Sequence, residues 1–167
     1  MKQQGYTLIE CMVALVIISV VLGLAVPSFD QMLHKQALDA ARMKLVSAIK
    51  MTRQEAVYRN RAVTLLQRNG DWSNGWTAMV DLDGNGTLDT SDIVIRQQAG
   101  PEGDITLSGN TPVSNYIRYM PDGTARLYSG AFQAGTLTLC HATGNSQGIK
   151  LVLSSGGRLR QELTNCR

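Results

Sequence analysis

Asp81, Asp83, Asn85, Thr87, Asp89 and Asp92 stand at the first, third, fifth, seventh, ninth and twelfth positions of DLDGNGTLDTSD, with Gly86 at the sixth. Oxygen ligands at those steps, Thr87 through its carbonyl, with a glycine at the sharp turn, are the arrangement that wraps a calcium ion. Asp92 is one methylene shorter than the glutamate that ordinarily closes such a loop through both oxygens, and the flanks read as strands rather than helices. The competing reading is a hairpin connection in which Asp, Asn and Gly supply turn geometry. No cofactor is required; Ca2+ is the one candidate.

A second group lies in SGGRLRQELTNCR. On a strand Arg158 and Arg160 share one face and Leu159 and Leu163 the other, so the leucines are expected to anchor in the core while the guanidiniums point outward. Paired guanidiniums suit phosphate oxygens through forked, charge-assisted hydrogen bonds. Lys150 and Arg167 are candidates to enlarge the patch, whereas Glu162 falls on the arginine face. The plainer reading is a strand edge guarded by charge. A net charge of only +3 means that any nucleic-acid binding must come from such a local cluster.

Cys140 and Cys166 occur in the polar distal half, and Cys11 inside an apolar run. The distal pair reads as a disulfide, and hence an oxidising compartment, or else as two buried thiols. The bridge would close a loop of about 25 residues, stabilising by about 3 to 4 kcal/mol in the chain-entropy picture. Cys11 reads as a small apolar side chain. His34 and His141 lack metal spacing, no nucleophile, base and orienting group assemble from local motifs, and the glycine-rich stretches lack a phosphate-loop lysine. The expectation is a protein that is not an enzyme.

Glu10, in GYTLIECM, sits at the head of the longest apolar run. A carboxylate there is costly unless it has a partner. The elements that must carry these groups follow from periodicity. Cys11 to Val26 contains no charge, and with Leu8 and Ile9 it approaches the roughly 20 residues of a bilayer-spanning helix. A span over about 8–27 is predicted; a secretory signal peptide fits less well, because Lys2 is balanced by Glu10. Pro27 is expected to kink or locally open the helix. Beyond it Leu38, Ala41, Leu45, Ala48, Thr52 and Ala56 recur at helical steps, while Lys35, Arg42, Lys50, Arg53 and Arg59 fall largely elsewhere. One long helix over about 6–60 results. After Arg61 come AVTLLQ, GWTAMVD, DIVIRQ, YIRYM, TARLY, GTLTLC, IKLVLS and GRLRQEL, separated by turn residues, which read as an antiparallel β head over 61–167. The fold class is α+β, the helix stripe packing on the sheet, in a chain of 167 residues with room for one modest head.

A short lysine-bearing leader, a glycine, then an aromatic residue followed by TLIE resembles the type IV prepilin family over residues 1 to about 60. The resemblance implies a leader, 1–5, cleaved after Gly5 by a membrane aspartyl prepilin peptidase, methylation of the new amine on Tyr6, and assembly into a filament with other major and minor pilins or pseudopilins. Tyr6 stands where the family usually has phenylalanine. The resemblance also implies that Glu10 meets the N-terminal amine of an adjoining subunit, each charge neutralising the other in apolar surroundings. It places the chain in the inner membrane, single-pass, with the head in the periplasm until incorporation into a pilus. WSNGWTAMVDLDGNG is similar to the GspH/FimT family of minor pilins and pseudopilins, and GRLR looks like the GRxR tail motif of DNA-binding minor pilins of natural transformation. The implied function is a minor type IV pilin of the initiation or tip complex, with DNA capture through the tail. The alternatives are a minor pseudopilin of a type II secretion system and a calcium-responsive binding module at the tip.

Overall fold

A computed structural model describes residues 7–142 and 147–166, without the side chains of 24–28, 30 and 31. The chain divides into two compact units, Met1–Gln36 and Ala37–Arg167. One helix, α1, runs from Leu8 to Arg59. It continues through Pro27, as one long helix over about 6–60 requires; a proline there has no N–H to give to the helix ladder, at the cost of one backbone bond.

Over Met1–Gln36 the described apolar side chains, among them Leu8, Ile9, Leu15, Val16 and Val21, are exposed. Among the described residues no helix is long and apolar enough to cross a membrane. The expected span over 8–27 runs into residues whose side chains lie outside the description. In the second unit α1 turns amphipathic as its spacing requires. Leu38, Ala41, Leu45, Ala48, Thr52 and Ala56 are all buried, joined by Val46 and Ile49. Thr52 avoids an unsatisfied hydroxyl by donating to the Ala48 carbonyl at 2.7 Å.

The strands are β1 (Val63–Arg68), β2 (Asp71–Val80), β3 (Ile93–Ala99), β4 (Ile105–Gly109), β5 (Tyr116–Tyr119), β6 (Gly135–His141), β7 (Gln147–Leu153) and β8 (Leu159–Asn165), with a 3-10 turn at Thr111–Val113. They form two antiparallel sheets, ordered β3-β2-β1-β5 and β4-β6-β7-β8. Asn69 and Gly70, both at positive φ, turn β1 into β2, as an Asn-Gly pair does in a tight hairpin. Ser73 clasps the sheets together: its hydroxyl accepts the Leu107 N–H at 2.9 Å. Trp72 donates its indole N–H to the Val113 carbonyl at 3.0 Å, and Trp72, Trp76, Tyr119, Leu65 and Leu139 fill the core with the helix stripe.

One expected strand is corrected and one unexpected strand is added. TARLY forms no strand, because tight turns at Gly123 and Gly130 bracket it and leave only the bridges Tyr119↔Ala125 and Arg126↔Phe132. ITLSG, unremarked in the sequence, is β4, with Ile105 and Leu107 buried on one face.

Candidate functional site

Thr7 and Glu10 open α1 with a reciprocal cap. The Thr7 N–H and hydroxyl both donate to Glu10 Oε2 at 3.0 Å, while Thr7 Oγ1 accepts the Glu10 N–H at 3.3 Å. This is the capping box written T-x-x-E, and the sequence carries its signature in TLIE. Glu10 therefore has a partner within its own chain, and both described bonds fall on one of its two oxygens. The predicted cleavage and methylation residues, Gly5 and Tyr6, lie outside the described residues.

The arginine tail is positioned by a glycine. Gly157, at positive φ, lies so close to the Gly123 carbonyl and the Tyr119 ring that a Cβ would collide with both. Arg53 of α1 donates to the Gly123 carbonyl at 2.9 Å, and Tyr119 donates to the Gly157 carbonyl at 3.3 Å. The β7–β8 turn is thus clamped, and Arg158 and Arg160 emerge exposed just beyond it. Cross-strand register sets Lys150 opposite Glu162 and Val152 opposite Arg160, so Lys150, Arg160 and Glu162 share one face of the second sheet. Arg160 is ion-paired with Glu162 at 2.8 Å. Arg167 lies outside the described residues. Leu159 is half-buried as expected, but Leu163 is 69% exposed rather than anchored, because β8 is the outer strand of its sheet with a neighbour on one side only.

Cys140 and Cys166 are joined, their Cα atoms 5.8 Å apart. The bridge links β6 to the residue after β8 by passing over β7 at Gly148, where a Cβ would collide with the sulfur of Cys166 and approach that of Cys140. Cys11 is free and exposed. His141 is buried at the end of β6, and His34 is half-buried on α1.

The acidic loop joins β2 to β3 on the first sheet, away from the strands that carry the arginines. Asp81, Asp83 and Asp92 come together, one oxygen of each lying within 4.8 Å of the others, an arrangement chemically able to take a divalent cation. Asp89 does not join them; its carboxylate accepts from Ser91 and from the Asn85 side-chain amide. Thr87 donates its hydroxyl to Asn85 Oδ1. The loop is also tied from within. Asp81 accepts the N–H groups of Gly84 at 2.7 Å and Gly86 at 2.9 Å, and Asp92 those of Leu82 at 3.1 Å and Asp89 at 3.0 Å. Partial burial pushes Asp81 up, but hydrogen bonds from the Tyr128 hydroxyl and the Gly86 and Gly84 amides outweigh it and hold the carboxyl below its usual range. Tyr128, whose ring abuts Gly86 and whose hydroxyl meets Thr64 at 3.1 Å, reaches the loop from 42 residues beyond Gly86; no local pattern announces it.

The sequence profile described as Type II transport protein GspH matches residues 41–157 of this chain, and the prokaryotic N-terminal methylation motif matches residues 1–26. The chain is 35% identical over 89 residues to the pilin-like protein PilA1 of Thermus thermophilus, a match covering 53% of this chain and 55% of that protein, so it spans about half the length of that relative. In fold it is similar to the type IV minor pilin FimU of Pseudomonas aeruginosa in two crystal forms. The TM-scores are 0.64 and 0.61 at 22% identity, covering 77% and 75% of this chain and 90% and 92% of FimU. A long N-terminal helix on antiparallel sheet, a methylation motif at its start and a profile match across most of the head lead to one conclusion: the chain belongs to the GspH family, a family of type IV pilin-like minor pilins and pseudopilins.

Proposed function

We propose that this chain is a minor subunit of a type IV pilus, inserted in the inner membrane through its first residues and drawn into the initiation or tip complex of the filament after cleavage at Gly5 and methylation of Tyr6. The observation that carries this reading is the start of α1: apolar side chains exposed around the helix, headed by one carboxylate, Glu10. Apolar surface on every side of a helix calls for lipid before assembly and for other helices after it. The capping box leaves the Glu10 charge available, since Thr7 engages Oε2 alone among the described atoms, and a neighbour's N-terminal ammonium is its complement.

Cap and docking contact are separable. Glu10→Gln keeps an acceptor for Thr7 and removes the charge, whereas Thr7→Ala removes the side-chain cap and keeps the charge. Docking requires Glu10→Gln to lose incorporation into sheared filaments and Thr7→Ala to retain most of it; the opposite ranking overturns the assignment.

DNA capture by the tail is part of the proposal, supported by the exposure of Arg158 and Arg160 and by Lys150 on the shared face. Contacts with two to four phosphates would give weak, sequence-independent and strongly salt-dependent binding, so several subunits or a whole tip complex would be needed for grip. Mobility shifts with Arg158 and Arg160 both changed to glutamine test it, undiminished binding removing the tail from the account. The description of the matching family supports a second reading, a pseudopilin of a type II secretion system. Twitching, DNA uptake and exoprotein export compared in a deletion strain separate the two.

A further inference from the structure

Between the second half of α1 and edge strand β3 lies a cleft of about 310 Å³, walled by Lys44, Ser47 and Met51 from the helix and by Trp76, Arg96 and Gln98 from the sheet. That volume falls in the range of small-ligand sites. Register places Arg96 opposite Ala78 and Gln98 opposite Trp76, so both β3 side chains stand on the sheet face that Trp76 occupies. Its polar walls are rich in donors, an ammonium, a guanidinium, a hydroxyl and an amide, and the Trp76 indole lies among them. Among the described residues no carboxylate lines it.

Trp76 supplies the unusual element. It is buried, and its Nε1 makes no hydrogen bond among the described residues. Trp72, equally buried, spends its N–H on the Val113 carbonyl. A buried donor without an acceptor bears its desolvation cost with no return. At the rim a carboxylate is already held: Lys44 Nζ pairs at 3.2 Å with Glu102, from the β3–β4 connection, whose side chain is 93% exposed. Glu102 thus meets the ammonium from outside, and among the described residues Arg96 and the Trp76 nitrogen have no carboxylate partner.

We propose that this cleft receives a glutamate or aspartate side chain from an acidic segment of a partner protein. Arg96 and Lys44 take its charge, Trp76 Nε1 donates to it, and Glu102 competes for Lys44 until the partner arrives. Guanidinium and ammonium groups serve phosphate as well, but phosphate sites commonly add free backbone N–H groups at a helix N-terminus or in a turn. The helix wall here is mid-helix, its amides spent on the helix itself. The Trp76 nitrogen is sealed in the unliganded cleft, and donation to an incoming oxygen needs a small shift of the surrounding side chains, for which the unbranched Met51 and Gln98 of the walls have the freedom. The inference does not depend on the filament reading, since it concerns the head alone.

The two tryptophans give the test its internal control. The full chain, 15N-labelled in a non-ionic detergent at low salt, is titrated with a capped tetraglutamate peptide while both indole N–H resonances are followed. The Trp76 resonance is expected to move and that of Trp72 to stay. Arg96→Gln, on an exposed strand, should weaken binding about tenfold or more, the loss of one charge-assisted hydrogen bond. Glu102→Gln should tighten it. The proposal is overturned if the Trp76 resonance does not respond, if a capped tetraglutamine peptide or inorganic phosphate moves it as far at equal concentration, or if Arg96→Gln binds undiminished.

Discussion

Glu162 governs how much of the arginine tail is open to an anion. It pairs with Arg160 at 2.8 Å and stands directly opposite Lys150 on the neighbouring strand β7, so one carboxylate tempers two cations. If the tail binds phosphate, Glu162→Gln should raise affinity for duplex DNA several-fold at low salt and steepen its salt dependence, in a mobility-shift or anisotropy titration. The pair is largely exposed, so the same change should alter stability by less than about 1 kcal/mol. Gly148 is the opposite kind of residue, carrying no charge and no freedom to change. Its place beneath the Cys140–Cys166 bridge leaves no room for a methyl group. Gly148→Ala should cost about 1 to 3 kcal/mol in denaturant unfolding of the oxidised protein, the usual cost of overpacking, and distinctly less after reduction frees the sulfurs to move.

At the scale of the element, the β2–β3 loop shows how a segment rich in acids holds its shape. Its carboxylates accept the loop's own N–H groups, the Asx-turn chemistry of Asp and Asn, and Tyr128 adds a long-range donor to Asp81. On these internal bonds alone the melting temperature is expected to be the same in excess calcium as in chelator; a rise with calcium would show that Asp81, Asp83 and Asp92 take the cation and stabilise by mass action. Acid has a defined direction. The Asp81 carboxyl is depressed in the folded state, so its contribution is fully present above its unfolded value of about 3.9 and is lost as pH falls through the folded one. Thermal melts between about pH 5 and pH 2 should show a falling midpoint, and Asp81→Asn should flatten part of that slope.

For the whole head, one clasp ties helix to both sheets. Arg53 of α1 holds the Gly123 and Gly156 carbonyls, and Tyr119 of β5 donates to Gly157 in the β7–β8 turn. Burial pushes the Tyr119 hydroxyl up to about 12, with the nearby Arg53 charge opposing it. A folded value above the unfolded value of about 10 gives stability that is present below pH 10 and lost as pH rises toward 12, about 2 to 3 kcal/mol in all. Denaturant unfolding across that range should show the decline. Tyr119→Phe should remove part of it, the remainder belonging to Tyr128, which burial and the hydrogen bond to Asp81 also push up.

Much of this architecture follows from local sequence. The buried stripe from Leu38 to Ala56, the strands with alternating apolar residues, the Asn69–Gly70 hairpin and the TLIE cap each arise from residues a few positions apart, because backbone geometry repeats over that distance and dictates which neighbours meet. The pairing of Cys140 with Cys166 was legible from their number and setting. Tertiary structure decided the rest. It divided the strands into two sheets, left Leu163 exposed on an outer strand, set Glu162 between two cations, slid Gly148 beneath a disulfide and brought Tyr128 to the acidic loop. It also set Trp76, whose indole nitrogen has no acceptor among the described residues, in the wall of a donor-rich cleft. Periodicity specifies which face of an element is apolar, but residues from distant elements meet only through sheet order and register, which the packing of the whole core selects.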